Sequence, residues 1–190
     1  LCQPTGHMVA LLDAWHVGDR ILLTGHPDAI GAFLRIAVER TIMEDVAARD
    51  LTAETRLVSV QGPRASAALA ELVELPPLDA GTGTIAGTPV VLCRANRTGL
   101  GGWDVWVPAD APAPLAALEA AVPFLDADAV EAARIEAGVP QWGADAHGKT
   151  LPPELGPAWE RRAVSYDKGC YTGQEVLHRI HARGHTNKNW

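Results

Sequence analysis

The chain is short of cysteine, of positive charge and of long apolar runs, and each shortage excludes a class of protein. Its three cysteines, at 2, 93 and 170, are widely spaced and odd in number. They do not make the disulfide framework of a small secreted domain, so a reducing, cytoplasmic compartment is expected. Sixteen Lys and Arg against 23 Asp and Glu leave a formal charge of −7. That balance argues against a general grip on the phosphate backbone, and no direct nucleic-acid partner is expected. The stretch from His178 to Lys188 is the local exception, with Arg179, Arg183, Lys188 and three histidines. No apolar run approaches the ~20 residues of a membrane-spanning helix. No signal-peptide pattern opens the chain, and no membrane partner is expected. Internal repeats are missing too, as is low-complexity sequence beyond a few Ala-rich segments.

What remains is ordinary globular composition, 47% hydrophobic and 21% charged over 190 residues, enough to bury a sizeable core. His7 to Trp15 and Asp19 to Thr24 read as paired strands with Gly18-Asp19 in the turn. Pro27 opens a helix to about Arg40, with Ala29, Ile30, Phe33, Leu34, Ala37 and Val38 on its apolar face. Thr41–Val46 reads as a short strand and Thr55–Val60 as a clearer one, followed by an Ala-rich helix to about Val73. Leu75–Pro89, rich in Pro and Gly, reads as loop. Pro89–Arg94 and Trp103–Val107 are strands, and Pro114–Ala121 and Asp126–Ala137 helices, the last capped by Asp126 and closed by Gly138. The order is α+β rather than doubly wound, with antiparallel sheets and packed helices. Two subdomains are expected, 1–75 and 76–190.

The stretch that asks for chemistry is Lys168-Gly169-Cys170-Tyr171-Thr172-Gly173-Gln174-Glu175. Thr172 and Glu175 have the spacing of a capping box, and Val176, Leu177 and Ile180 continue at helical spacing. Cys170 then lies just outside a helix N-terminus, with Lys168 beside it, and both features favour a thiolate. The alternative is a buried, inert thiol, the commoner fate of a free cysteine. His178, His181 and His185 fall at i, i+3 and i+7. Gly184 ends the helix before that set is complete, and no metal site is assigned.

The octapeptide, with Arg179 and Arg183-Gly184 after it, resembles the signature of the YgfZ-type folate-binding proteins, accessory factors for iron–sulfur enzymes. Their fold is related to the T-protein (aminomethyltransferase) of glycine cleavage. Arg97-Thr98-Gly99 leading into Gly102-Trp103-Asp104-Val105 is similar to a T-protein strand, in a shorter copy. Arg134-Ile135-Glu136-Ala137-Gly138, followed by Gly143-Ala144-Asp145, is similar to the segment whose Glu binds the pterin of tetrahydrofolate. A carboxylate accepts two hydrogen bonds from an aminopyrimidinone edge.

The resemblance implies a reduced folate, tetrahydrofolate or a relative, held by Glu136, Arg134, Trp103, Gln174, Glu175 and Arg179. It implies Cys170 and Lys168 as the reactive pair. It also implies iron–sulfur enzymes or cluster-assembly proteins as partners, a link to tRNA modification, and further sequence including a carboxy-terminal β-barrel. The leading expectation is an iron–sulfur accessory protein; the alternative is a folate-dependent aminomethyltransferase or other one-carbon transferase. Ala10 and Leu11 stand where T-proteins carry acids, which disfavours aminomethyl transfer and leaves open whether the chain is an enzyme. A thiol hydrolase built on Cys170 with His178 or His181 ranks third, since no triad partner is evident.

Overall fold

A computed structural model describes residues 1–186 and 188. The protein is α+β. Strands β1 (Leu12–Val17) and β2 (Arg20–Gly25) form a hairpin whose turn holds Gly18 at φ 62°. Helix α1 (Pro27–Arg40) follows, capped by the His26 side chain, which accepts the Asp28 amide at 3.3 Å. Proline suits its first turn because no intrahelical partner awaits an N–H there. Next come β3 (Thr55–Gln61), α2 (Ala65–Ala70), β4 (Ala80–Ile85), β5 (Thr88–Arg94) and β6 (Gly102–Pro108). Helices α3 (Pro112–Ala121) and α4 (Ala127–Glu136), a 3-10 turn Pro152–Leu155, α5 (Pro157–Ala163) and α6 (Gln174–Arg183) complete the order. No helix among the described residues is long and apolar enough to cross a membrane.

Two compact units are present, and both are discontinuous in sequence. The first gathers Leu1–Asp13, Thr24–Ala48 and Pro140–Trp190; the second gathers Ala14–Leu23 and Arg49–Val139. The boundary expected at residue 75 is not the one found. Strand β3 pairs antiparallel with β6, from Thr55 opposite Pro108 to Gln61 opposite Gly102, so a cut at 75 would sever a ladder.

The second unit is built on a sheet of order β3-β6-β5-β4. Alternation along β6 sends Trp103, Val105 and Val107 into one core with Leu69, Ile85, Leu92 and Leu118. On the other face Cys93 and Trp106 pack with Trp15, whose indole N–H donates to the Arg94 carbonyl at 3.0 Å. In the first unit Met8, Ala146 and Leu155 form a smaller core, flanked by Leu11, Trp142 and Trp159.

Four local expectations differ from what is found, each for a physical reason. Thr41–Val46 is not a strand: Glu44 accepts the amides of Ile42 and Met43 at 3.0 and 3.1 Å, removing the donors a ladder needs. Leu75–Pro89 is not all loop, because Ala80–Ile85 is the edge strand β4. Its glycines are there for room: a Cβ at Gly83 would lie 2.4 Å from Val73, and one at Gly81 2.7 Å from Pro76. The helix expected to reach Val73 stops at Ala70, and the amides of Leu72 and Val73 both return to the Leu69 carbonyl. The first strand starts at Leu12 rather than His7; Met8 instead bridges to Cys2 and donates to Thr150.

Candidate functional site

In the first unit the Lys168–Glu175 segment leads into α6, but not through the expected capping box. Thr172 is exposed and caps nothing; the N-cap is Gly173, at φ 87°, with no side-chain cap bond. Gln174 does the work from inside the helix, its Oε1 accepting the Tyr171 amide at 3.0 Å. Glycine is required at 173, since a Cβ would meet the Gln3 carbonyl oxygen at 2.5 Å and Gly6 Cα at 3.2 Å. Gly6 in turn abuts Val176, 3.1 Å from where its own Cβ would be. Chain segments 2–6 and 171–176, far apart in sequence, therefore pack backbone to backbone.

Cys170 is exposed, which removes the buried-thiol alternative. Lys168 is exposed too, its ammonium 4.8 Å from the centre of the Tyr171 ring. Glu175 and Arg179 are exposed on α6, while Gln174 is half-buried and committed to the backbone. Sequence reading passed over two neighbours. Cys2 is half-buried beside this segment, and burial pushes its thiol upward. The Tyr171 hydroxyl is buried with no hydrogen-bond partner among the described residues, and burial raises its phenol as well. Neither carries a local signal, because residues 2 and 171 meet only through the fold.

Farther along, Tyr166 lies between two of the histidines. His181 stacks on it with ring centroids 3.9 Å apart, and His178 meets it edge-on at 5.1 Å. Tyr166 donates to Glu160 at 2.5 Å, and His181 Nδ1 is 3.4 Å from the same oxygen. Burial, then the Glu160 bond, raises the Tyr166 phenol. Glu160, Tyr166 and His181 line an open hollow of about 560 Å³ that none of Lys168, Cys170, Gln174 or Arg179 borders. The histidines thus join a Tyr–Glu cluster, and among the described residues no group of three His, Cys, Asp or Glu is placed to hold a metal.

The other candidates belong to the second unit. Asp126 caps α4 as read, accepting the Ala129 amide at 2.8 Å, and Glu136 closes the helix as an exposed carboxylate. Arg134 turns inward rather than toward solvent. It is 8% exposed, forks onto Glu131 at 2.7 and 2.5 Å, and donates to the Val139 carbonyl at 2.6 Å. Trp103 is likewise core, 1% exposed, with its indole N–H on Ser66 at 2.9 Å. A ring buried this way has no open face for a pterin, so its expected stacking role falls.

The Arg97-Thr98-Gly99 loop meets the end of α4, for a Cβ at Gly99 would lie 2.2 Å from Ala137 Cβ. Arg97 also holds Asp104, fully buried, through Nε at 3.0 and 3.1 Å. Ser59 donates to the same carboxylate at 2.7 Å, and Gln61 ties Ser59 to the Arg97 amide. Across the ladder Asp104 faces Cys93, whose thiol is pushed up to about 12, by burial first and the nearby carboxylate second. At the stretch read against the T-protein acids, Ala10 is buried and Leu11 packs on the core of its unit. Asp13, the nearest acid, pairs with Arg162 at 2.9 Å.

Comparison with known proteins places these features. Residues 1–168 match the family described as GCVT N-terminal domain. The chain is 25% identical to an aminomethyltransferase of Herpetosiphon aurantiacus, over 97% of this chain and 52% of that one. It is 34% identical to the Synechococcus elongatus aminomethyltransferase over 60% of this chain and 32% of that one. With the Thermus thermophilus aminomethyltransferase it shares 33% identity, over 67% and 38% respectively. The chain spans about half the length, or less, of these relatives.

Proposed function

This chain belongs to the GCVT N-terminal domain family, and from that premise we propose that it binds a reduced folate and serves one-carbon transfer of the aminomethyltransferase type. The observation that carries the reading is Glu136, an exposed carboxylate at the end of α4 within the family's matched span. Its chemistry fits the ligand: one carboxylate accepts two parallel hydrogen bonds from the aminopyrimidinone edge of a pterin. Tetrahydrofolate, when bound, supplies the nitrogen that receives the one-carbon unit. This chain contributes the orienting carboxylate and the braced helix end that presents it. The three cysteines are all free, which supports the cytoplasmic location proposed with it.

The names of the relatives put transferase chemistry ahead of the iron–sulfur accessory role that the octapeptide favours by resemblance. The accessory reading keeps one specific support: Cys170 is exposed within Lys168–Glu175, beside Lys168. Two measurements separate the readings. A glycine-cleavage assay with lipoyl carrier and tetrahydrofolate gives turnover under the transferase reading and none under the other. Complementation of cells lacking an iron–sulfur accessory factor, lost on Cys170→Ser, would reverse the order.

Folate binding itself is tested by Glu136→Gln, which turns one acceptor into a donor. A charged hydrogen bond is worth about 1.5–3 kcal/mol, so calorimetry should find tetrahydrofolate bound roughly ten- to a hundredfold more weakly. Equal affinity for both proteins removes Glu136 from the site.

A further inference from the structure

Val139, the third residue after Glu136, is gripped by a single side chain and backbone at once. We infer that Arg134 is a positioning residue for Glu136, fixing the end of α4 so that the carboxylate meets its ligand from one direction. The inference rests on the folate reading above.

Arginine is almost never buried unless paired, yet Arg134 is 8% exposed. Its guanidinium works in two directions. Toward the helix it forks onto both carboxylate oxygens of Glu131, one turn back, at 2.7 and 2.5 Å. Away from the helix, Nη1 donates to the Val139 carbonyl at 2.6 Å. The Arg134 carbonyl also accepts the Val139 amide at 3.0 Å. Val139 is therefore tied to one residue at both of its backbone groups, across a turn made by Gly138 at φ 63°.

Glu136 and Ala137 lie inside the short loop so closed. Gly99 presses on Ala137 from another segment, with no room for a Cβ. The last turn of a helix ordinarily frays; this one is clasped by its own arginine and stopped by a neighbouring backbone. A carboxylate mounted on a fixed helix end loses less freedom when it binds, and that saving appears as affinity.

The test is a thermodynamic cycle read by tetrahydrofolate calorimetry on the whole chain. Glu131→Met removes the acceptors that hold the guanidinium and keeps a good helix former at a half-exposed position, and its thermal melt checks that the chain still folds. Arg134→Met is the stronger variant. Each should weaken binding about tenfold while thermal melts of Glu131→Met stay cooperative. In a Glu136→Gln background neither should weaken it further, because Arg134 acts through Glu136. Unchanged affinity in Glu131→Met, or losses that add to Glu136→Gln, would overturn the inference and leave the folate reading standing. A parent protein that binds no tetrahydrofolate overturns both.

Discussion

Tyr171 and Gln174 hold each other in both directions: the Tyr171 amide donates to Gln174 Oε1 at 3.0 Å, and the Gln174 amide donates to the Tyr171 carbonyl at 3.3 Å. This exchange replaces the Thr172–Glu175 box that the spacing predicts, and it separates two substitutions that pattern alone would rank the other way. Gln174→Ala leaves the Tyr171 amide without its acceptor and should cost about 1 kcal/mol. Thr172→Ala removes an exposed hydroxyl that caps nothing and should stay within about 0.5 kcal/mol of the parent. Urea unfolding of the two variants decides it; a larger loss at Thr172 would reinstate the box.

The three thiols should react in a fixed order. Iodoacetamide at pH 8, with sites assigned by mass spectrometry, should label Cys170 first, Cys2 slowly and Cys93 not at all in the folded protein. Cys170 is exposed, Cys2 is half-buried with a raised thiol, and Cys93 is buried with its thiol near 12. Early labelling of Cys93 would mean that the sheet opens around it. The Cys93 shift also has a sign. Its folded value lies above the unfolded one of about 8.5. The stabilisation it reports is complete below that value and drains away as pH rises toward 12. Cys93→Ala should flatten the alkaline side of the stability profile.

Asp104 should prove structural. It is fully buried, while Arg97 keeps 36% of its side chain exposed. Removing one partner of a buried pair costs roughly 3–5 kcal/mol, and Arg97's access to water puts Asp104→Ala near the lower end. Ser59→Ala, which loses a single bond to the same carboxylate, should cost about 1–2 kcal/mol. Denaturant midpoints for the two would be indistinguishable if the network were idle.

Acid should loosen the end of α4 before the rest of the helix. The Arg134 bond holds the Glu131 carboxyl below its ordinary value. A depressed acid stabilises fully above its unfolded value and loses that contribution as pH falls through the folded one. Protection of the Ala137–Val139 amides, measured against the intrinsic exchange rate at each pH, should therefore fall below about pH 4.3, the ordinary glutamate value, and Glu131→Gln should abolish the pH step. A profile unchanged in that variant would assign the step to another carboxylate.

How much of this was legible in the sequence follows from the range of each signal. Helix α1 was read with its observed limits, Pro27 to Arg40, because proline and an apolar face at helical spacing are local facts. So was the Asp126 cap of α4. Strand β4 was missed since its glycines read as loop, whereas they answer to Val73 and Pro76 pressing on the strand. Arg134 and Trp103 stand in the expected motifs, yet both side chains are buried. A sequence places a residue near a site, but only packing shows whether the side chain turns outward. The link between residues 2–6 and 171–176 left no local trace at all.

The order in which the chain emerges during synthesis gives the two units different histories. Every strand and helix of the second unit lies before residue 140, so its sheet can close as soon as that much chain is free. The first unit must wait, for its early segments, Leu1–Asp13 and Thr24–Ala48, share it with Pro140–Trp190. In the interval Gly6 has no Val176 to rest against, and Met8 has no Thr150 to receive its amide. A nascent chain whose first 140 residues have left the ribosome, with the rest still to emerge, would thus carry one finished body and two early segments still waiting for theirs, the state in which a holding chaperone has most to cover.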